Sequence, residues 1–431
     1  MAIQFIIAFN AKRFSPAISL GPKLLQPNSH TDRHRIIVMH PGRSNLNLRQ
    51  PPATRELHAN VMSTLFWLSC ALVTYAYIGY AMLLWAHAAM GTRHILRQPA
   101  TPTISILIAA RNEAATLPAK LENLRALDYP HHLTQTIIVS DGSTDATAAI
   151  LGRAIPQIQP ILLSESGGKA RALNTAVQHA TGDILIFLDT RQSLDPNAVS
   201  ELISCFADPH IGAISGELIL ESANDSANAG EALGLYWKIE KSIRRLESAT
   251  GSVVGVTGAI YAMRRELYVP IPPGTILDDV LIPMHVARTG HRVIFAPAAI
   301  ARDRIFTAPG KEFARKVRTL TGNYQLLRLA PWLLTPANPL LFRFISHKLM
   351  RLVVPLFLFT MLLSSALAST PLYSFLFWLQ IVFYTAAAIG MLLPPTRKLK
   401  PIAIASTFVM LNAAAVLAFY NFARGRHEVW R

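Results

Sequence analysis

Charge is scarce in this chain. Charged residues make up 15% of its 431 residues, and hydrophobic residues 51%. That balance excludes an ordinary soluble globule, in which roughly a quarter of the residues are charged, and it directs the reading to membrane-spanning stretches first. Cysteine is scarcer still, at two residues. Cys70 falls in an apolar run and Cys205 in an expected helix, so a disulfide framework is excluded and a reducing compartment fits. Acidic residues number 25 against 41 Lys and Arg, a formal net charge of +16. Such an excess suits nucleic acid, an anionic membrane surface or a phosphorylated substrate. Here the cations are spread over the N-terminal tail and the flanks of apolar runs. They are not gathered with aromatic residues on one domain, which argues against nucleic acid as a partner. Internal repeats are absent.

What is present falls into five segments. Residues 1–60 are basic and rich in Pro, His and Asn, without sustained periodicity. They are expected to be disordered, or to be an extension upstream of a start at Met62. The apolar stretch Ile3–Phe9 precedes Lys12 and Arg13 instead of following them, which is the wrong order for a signal peptide. Residues 61–89 hold no Asp, Glu, Lys or Arg and exceed the ~20 residues that cross a bilayer. Trp67 and Trp85 near the two ends suit the interfaces of a first transmembrane helix. From 100 to 330 the pattern alternates strand and helix: TISILIAA, a Leu117/Leu121/Leu124 helix, TQTIIVSD, a helix, then KARALNTAVQHA and DILIFLD. This is the pattern of a Rossmann-like α/β domain with a mostly parallel sheet, whose ligands lie at the carboxyl ends of the strands. Residues 331–351 mix large apolar residues with Arg343, His347, Lys348 and Arg351, an expected interfacial segment among membrane lipids. Residues 352–424 carry three more apolar runs. The basic loop Thr396–Lys400 belongs in the cytosol by the positive-inside rule. Counting back, the α/β domain is cytosolic, in an integral cell (inner) membrane protein. The same count puts the basic C-terminal tail outside, a conflict that a re-entrant last segment would remove.

Six short motifs sit where chemistry belongs. Ala109-Ala110-Arg111-Asn112-Glu113 follows the first strand, and Asn112 and Glu113 also suit a helix start. Asp141-Gly142-Ser143-Thr144-Asp145 follows the second strand. A capped turn explains its Gly and Ser, but not an Asp at the end of an apolar strand. Gly167-Gly168-Lys169 opens a helix, where free N–H groups and the dipole attract an anion. Asp189-Thr190-Arg191 ends the DILIFLD strand. Asp278-Asp279 lies among Ile276, Leu277 and Val280, an apolar setting that raises the pKa of one acid. Arg315-Lys316-Val317-Arg318-Thr319 is a basic helical stretch, equally suited to an interface.

Taken in this order over Thr103–Leu327, these motifs resemble the membrane-bound family 2 glycosyltransferases of GT-A fold, the group of the cellulose, chitin and hyaluronan synthases. The resemblance implies an inverting transfer of sugar from a nucleotide diphosphate sugar, UDP-linked, to a saccharide or lipid-linked acceptor in cell-surface polysaccharide synthesis. It implies nucleotide-sugar binding by Ala109, Arg111, Asn112, Glu113, Asp141, Lys169, Asp189, Arg191 and Arg318. Asp279 becomes the catalytic base, with Asp278 beside it. Gly216, Glu217 and Gly258 are expected in acceptor-side loops, and Trp237 on a helix that could stack a sugar ring. The family's Asp-x-Asp holds a divalent metal (Mg or Mn). Here Asp189 keeps the first acid, and Arg191 replaces the second. Either Asp189 holds the metal with other ligands, or Arg191 supplies part of the charge itself. Thr319 stands where the family has the Trp of Gln-x-x-Arg-Trp, which puts processive synthesis in question. Two other readings fit the same residues: a polyprenyl-phosphate sugar transferase and a non-catalytic nucleotide-binding membrane protein.

Overall fold

The computed structural model describes residues 52–153, 158–222, 229–305, 309–368 and 370–425. Most of the N-terminal tail expected to be disordered lies outside them. Its last part does not fit that expectation, because the first helix begins at Pro52. This helix, α1 (Pro52–Thr74), passes through a π turn (Tyr75–Gly79) into α2 (Tyr80–Met90). The α/β domain follows with β1 (Ile104–Ala110), α3 (Leu117–Arg125), β2 (Thr134–Asp141), α4 (Thr147–Gly152), β3 (Ile158–Leu163), α5 (Lys169–Gln178), β4 (Ile184–Leu188), β5 (Ser193–Leu194), α6 (Ala198–Ser204) and β6 (Ile211–Ser222). It continues with α7 (Ala229–Thr250), β7 (Ile260–Arg264), α8 (Asp278–Arg288), β8 (Arg292–Ile305) and α9 (Pro309–Leu329). The chain then runs through α10 (Leu341–Phe344), a second π turn (Ile345–Leu349), α11 (Met350–Leu367), α12 (Pro371–Leu392) and α13 (Lys400–Ala423).

The strands form one sheet in the order β3-β2-β1-β4-β7-β6-β8-β5. β3, β2, β1 and β4 are parallel, β7 is antiparallel to both neighbours, and β6 and β8 are parallel again. Every residue of β1 is buried, because the sheet is covered on both faces and alternate side chains serve two cores. Ile104, Ile106 and Ile108 join Leu117, Leu121 and Leu202 on one face. Leu107 and Ala109 join Leu173, Ala176 and Leu281 on the other. The strand ends thus become a rigid rim on which β2, β4 and the start of α8 present their acids.

Among the described residues, four helical stretches are long and apolar enough to cross a membrane: Glu56–Met90, Leu341–Leu367, Pro371–Leu392 and Lys400–Ala423. The expected interfacial segment 331–351 is therefore not separate. From Leu341 it is the first part of the same helical stretch that carries α11. Of its cations, Arg343, His347 and Arg351 meet groups of the α/β domain. Near the other end of the chain, Tyr324 of α9 packs on Phe419 and Phe422 of α13. The last turns of α13 therefore adjoin the α/β domain.

A buried ionic network joins the two parts. His347, 3% exposed, lies with Nδ1 2.9 Å from Glu247 Oε1 and Nε2 2.9 Å from Glu240 Oε1. Arg351 donates to Glu240 Oε2 at 2.7 Å, and Tyr80 Oη donates to Glu247 Oε1 at 2.6 Å. Burial alone would raise both acids. The cationic partners, chiefly His347, outweigh it and hold Glu240 well below the usual carboxylate range and Glu247 below it.

Candidate active site

Two loops at the rim are stitched together. Asn112 takes the left-handed backbone conformation at φ 54°, which Asn tolerates better than most residues. Its Oδ1 accepts from the Thr144 N–H at 2.8 Å, and its own N–H donates to Ser143 Oγ. The Glu113 N–H donates to Thr147 Oγ1, and the Ala114 N–H to Asp145 Oδ2. The Arg111–Glu113 and Asp141–Asp145 motifs are thus one folded unit. Ala109 is buried within β1 and contributes backbone alone.

Asp141 is the last residue of β2. It is completely buried, and its carboxylate accepts from Ser166 Oγ and from the N–H groups of Gly167 and Gly168, each at 2.8 Å. It shapes the glycine loop at the start of α5. Gly142 serves the same junction: at φ 59° a Cβ there would lie 2.4 Å from the Ser166 nitrogen, so only glycine fits.

The loop places Lys169 at the centre of the acids. Its Nζ lies 2.9 Å from Asp189 Oδ1 and 3.2 Å from Asp278 Oδ2. Burial pulls this ammonium down, but Asp189, Asp278 and Asp279 outweigh it and hold it raised, so it stays charged. Asp278 and Asp279 form the first turn of α8, where the helix dipole favours acids. One cation shared among three acids leaves a deficit, and Asp279 carries it. Burial and the Asp278 charge push Asp279 up to about 6, with Lys169, Lys348 and Arg244 opposing. Gly258 backs the cluster: a Cβ there would lie 3.4 Å from Asp189 Oδ2 and 3.5 Å from Lys169 Nζ.

Other expected site residues lie elsewhere. Arg191 does not face Asp189. Its guanidinium forms a bidentate pair with Asp303 of β8, at 3.1 and 2.6 Å. Asp303 is 4% exposed and requires a counter-charge, which Arg191 supplies. Gly216 is not in a loop. It sits at an irregularity of β6 against β8, where a Cβ would lie 2.5 Å from the Ala299 carbonyl oxygen. Glu217 is buried in ion pairs with Lys241 and Arg245 of α7. Trp237 is half-buried, with Lys316 Nζ 4.8 Å from its ring centre. Arg318 is exposed on α9 and makes no hydrogen bond or ion pair with Lys169, Asp189 or Asp278. Sequence reasoning missed Lys120, 2% exposed, whose Nζ donates to the Gln192 carbonyl at 2.8 Å. Burial lowers it to about 8, against the pull of Asp189. A lysine on the Leu117–Leu121–Leu124 face was the available signal.

Among the described residues, no group of three or more His, Cys, Asp or Glu gathers to hold a metal ion. Asp189 Oδ1 is taken by Lys169, while Oδ2 faces the space left by Gly258. One carboxylate oxygen left open in this way fits an ion of the Mg²⁺ type, which is held by one or two carboxylates together with substrate phosphates.

The sheet order and the acid-bearing rim define a GT-A glycosyltransferase fold. The same overall architecture occurs in a mannosyltransferase from Pyrobaculum calidifontis, solved in complex with GDP-Man and Mn²⁺. That structure matches with a TM-score of 0.63 at 22% identity, over 83% of this chain and 99% of the other. Within the fold, residues 105–269 match the family model of glycosyl transferase family 2. A poly-beta-1,6-N-acetyl-D-glucosamine synthase of Staphylococcus aureus is 27% identical over 231 residues, 52% of this chain and 55% of the relative. An N-acetylglucosaminyltransferase of Rhizobium meliloti is 26% identical over 215 residues, 46% and 50% of the two chains. The chain thus spans about half the length of the curated relatives it matches.

Proposed function

We propose that this protein is an inverting glycosyltransferase that moves a sugar from a nucleotide diphosphate sugar to a saccharide or lipid-linked acceptor in cell-surface polysaccharide synthesis, with its α/β domain in the cytosol. The observation that carries the reading is the shared cation. Lys169 neutralises Asp189 and Asp278, while Asp279 beside them is held near neutrality and is suited to take up a proton. The donor's base and ribose would lie against the Arg111–Glu113 and Ser143–Asp145 unit. Its diphosphate would lie at the N-terminus of α5, where N–H groups and Lys169 converge. A divalent ion at Asp189, when bound, would neutralise the leaving diphosphate. Asp279 accepts the proton of the acceptor hydroxyl as its oxygen attacks the anomeric carbon. The bond from that carbon to the diphosphate breaks, and the electron pair leaves with the nucleotide. UDP-N-acetylglucosamine is the first donor to test, given the names of the relatives.

The test is nucleotide release by the purified chain in detergent across a panel of UDP and GDP sugars, with Mg²⁺, Mn²⁺ or chelator. One donor turned over, and stopped by chelator, is the expected result. No release with any donor would refute the reading. Turnover unaffected by chelator would remove the metal from it and leave Lys169 as the compensating charge.

A further inference from the structure

The loop that leads into Asp278 and Asp279 is gripped from α9. Gln325 of that helix is buried, at 7% exposed. Its Oε1 accepts from the Ile276 N–H at 2.9 Å, and its Nε2 donates to the Gly274 carbonyl at 2.9 Å. One side chain thus satisfies a donor and an acceptor of the same short backbone stretch, as a neighbouring strand would. The surroundings do not call for a polar residue. Ile276, Leu277 and Leu326 belong to one apolar core cluster, and a buried amide is costly in such a place unless both its ends are bonded. The approach of α9 is close: a Cβ on Gly322 would lie 2.6 Å from Leu277 Cγ. Leu277, at the threshold of α8, gives that helix no side-chain cap. On the far side of the acids, the Asp279 carbonyl accepts from the Val256 N–H at 2.9 Å. Tyr324, next to Gln325 in the chain, packs on Phe419 and Phe422 of α13 and braces α9.

We propose that Gln325 is a positioning residue: its amide clasps Gly274–Ile276 and thereby fixes the place at which Asp279 meets the acceptor hydroxyl. This rests on the transferase reading above, with Asp279 as its proton acceptor. Gln325 exchanges no proton and forms no bond with substrate. It acts by holding the backbone just ahead of the two acids. A general base must come within about 2.6–3.2 Å of the group whose proton it takes, and a misplacement of about 1 Å can cost about a hundredfold in rate. With the start of α8 uncapped, the clasp, the Val256 contact and the ion pair of Asp278 with Lys169 hold the acids to that tolerance. The glycine loop and Asp189 stand on other elements, so loss of the clasp bears on turnover more than on donor binding.

The test is a double-mutant cycle on the full chain in detergent, read as nucleotide release from the sugar nucleotide that the panel above turns over, with water as acceptor. Gln325→Met keeps the bulk of the side chain and removes both bonds. Gln325→Asn keeps the amide but is one methylene too short to span both partners, and it serves if the Met variant does not fold. Either change is expected to lower kcat by about 10–100-fold with little change in the KM for donor. In an Asp279→Asn background the same change is expected to cost nothing further, because a residue that acts through Asp279 has no effect once Asp279 is gone. Thr321→Val is the control. Thr321 is likewise buried on α9, its hydroxyl donates to the Val317 carbonyl of the same helix, and its loss leaves kcat and KM unchanged. An unchanged kcat in the Gln325 variants would overturn the proposal. A loss just as large in the Asp279→Asn background would also overturn it, since Gln325 would then support the fold at large. A raised donor KM at unchanged kcat would move Gln325 to donor binding and overturn it too. Each of these results spares the transferase reading as long as Asp279→Asn is itself slow. Wild-type turnover by Asp279→Asn would instead remove the base assignment, and the positioning role with it.

Discussion

Two of the buried charge clusters among the described residues are balanced differently. At the junction with the membrane helices, Glu240 and Glu247 share His347, Arg351 and Tyr80, and both acids are held below their ordinary range. At the strand ends, Asp189, Asp278 and Asp279 share Lys169, and Asp279 is pushed up to about 6. The first arrangement satisfies its acids and fastens two parts of the chain. The second leaves one acid unsatisfied and so keeps a proton acceptor available near neutral pH. Stability and reactivity are thus assigned to different clusters, as when a strained site is tolerated because the surrounding structure is secure.

The comparison breaks most severely at Asp279. Replacing it with Asn is expected to lower transfer by about 10²–10⁴-fold, the range for a lost general base, while donor binding survives. The sign for stability is opposite. The folded-state pKa of Asp279 lies above the unfolded value near 4, so its charge costs stability once the pH rises through about 6. Asp279→Asn should therefore unfold at a higher temperature than the wild type at pH 7.5, read by thermal unfolding in detergent.

Lys169→Met removes the shared cation and leaves the three acids uncompensated. The expected destabilisation at neutral pH is about 3–5 kcal/mol, together with loss of donor binding by calorimetry. His347→Ala probes the balanced cluster and should cost a similar 3–5 kcal/mol at pH 7, through separation of α7 from the membrane helices. Glu240 and Glu247 are depressed. Their contribution is present above the unfolded carboxyl pKa of about 4.3 and is lost as the pH falls through their lower folded values. The gap between His347→Ala and the wild type should therefore narrow below pH 4, where a gap that stayed constant would contradict the ionic account.

Much of this arrangement was legible in the sequence because its signals are local. The apolar runs of β1, β2 and β4 predict the sheet, and Asp141 and Asp189 mark strand ends. Adjacent acids before an apolar helix mark Asp278 and Asp279. What stayed hidden depends on distant pairing. Arg191 meets Asp303 112 positions away, and His347 meets Glu240 107 positions away, with nothing local to announce either. The partners of Asp141 were not legible, because a carboxylate at a strand end can turn outward or inward to a loop. The two nearby glycine N–H groups decide for the loop. Gly216 was taken for a loop residue because turns are the commonest place for glycine, whereas here close approach to β8 requires it.

The most direct test of the central claim is the pH dependence of donor hydrolysis with water as acceptor, so that no acceptor group titrates. With Asp279 as the base, the rate should be level above pH 7 and fall tenfold per unit below about pH 6. A rate that stayed level down to pH 5, or fell only below pH 4, would show that Asp279 is an ordinary paired acid and would contradict the account.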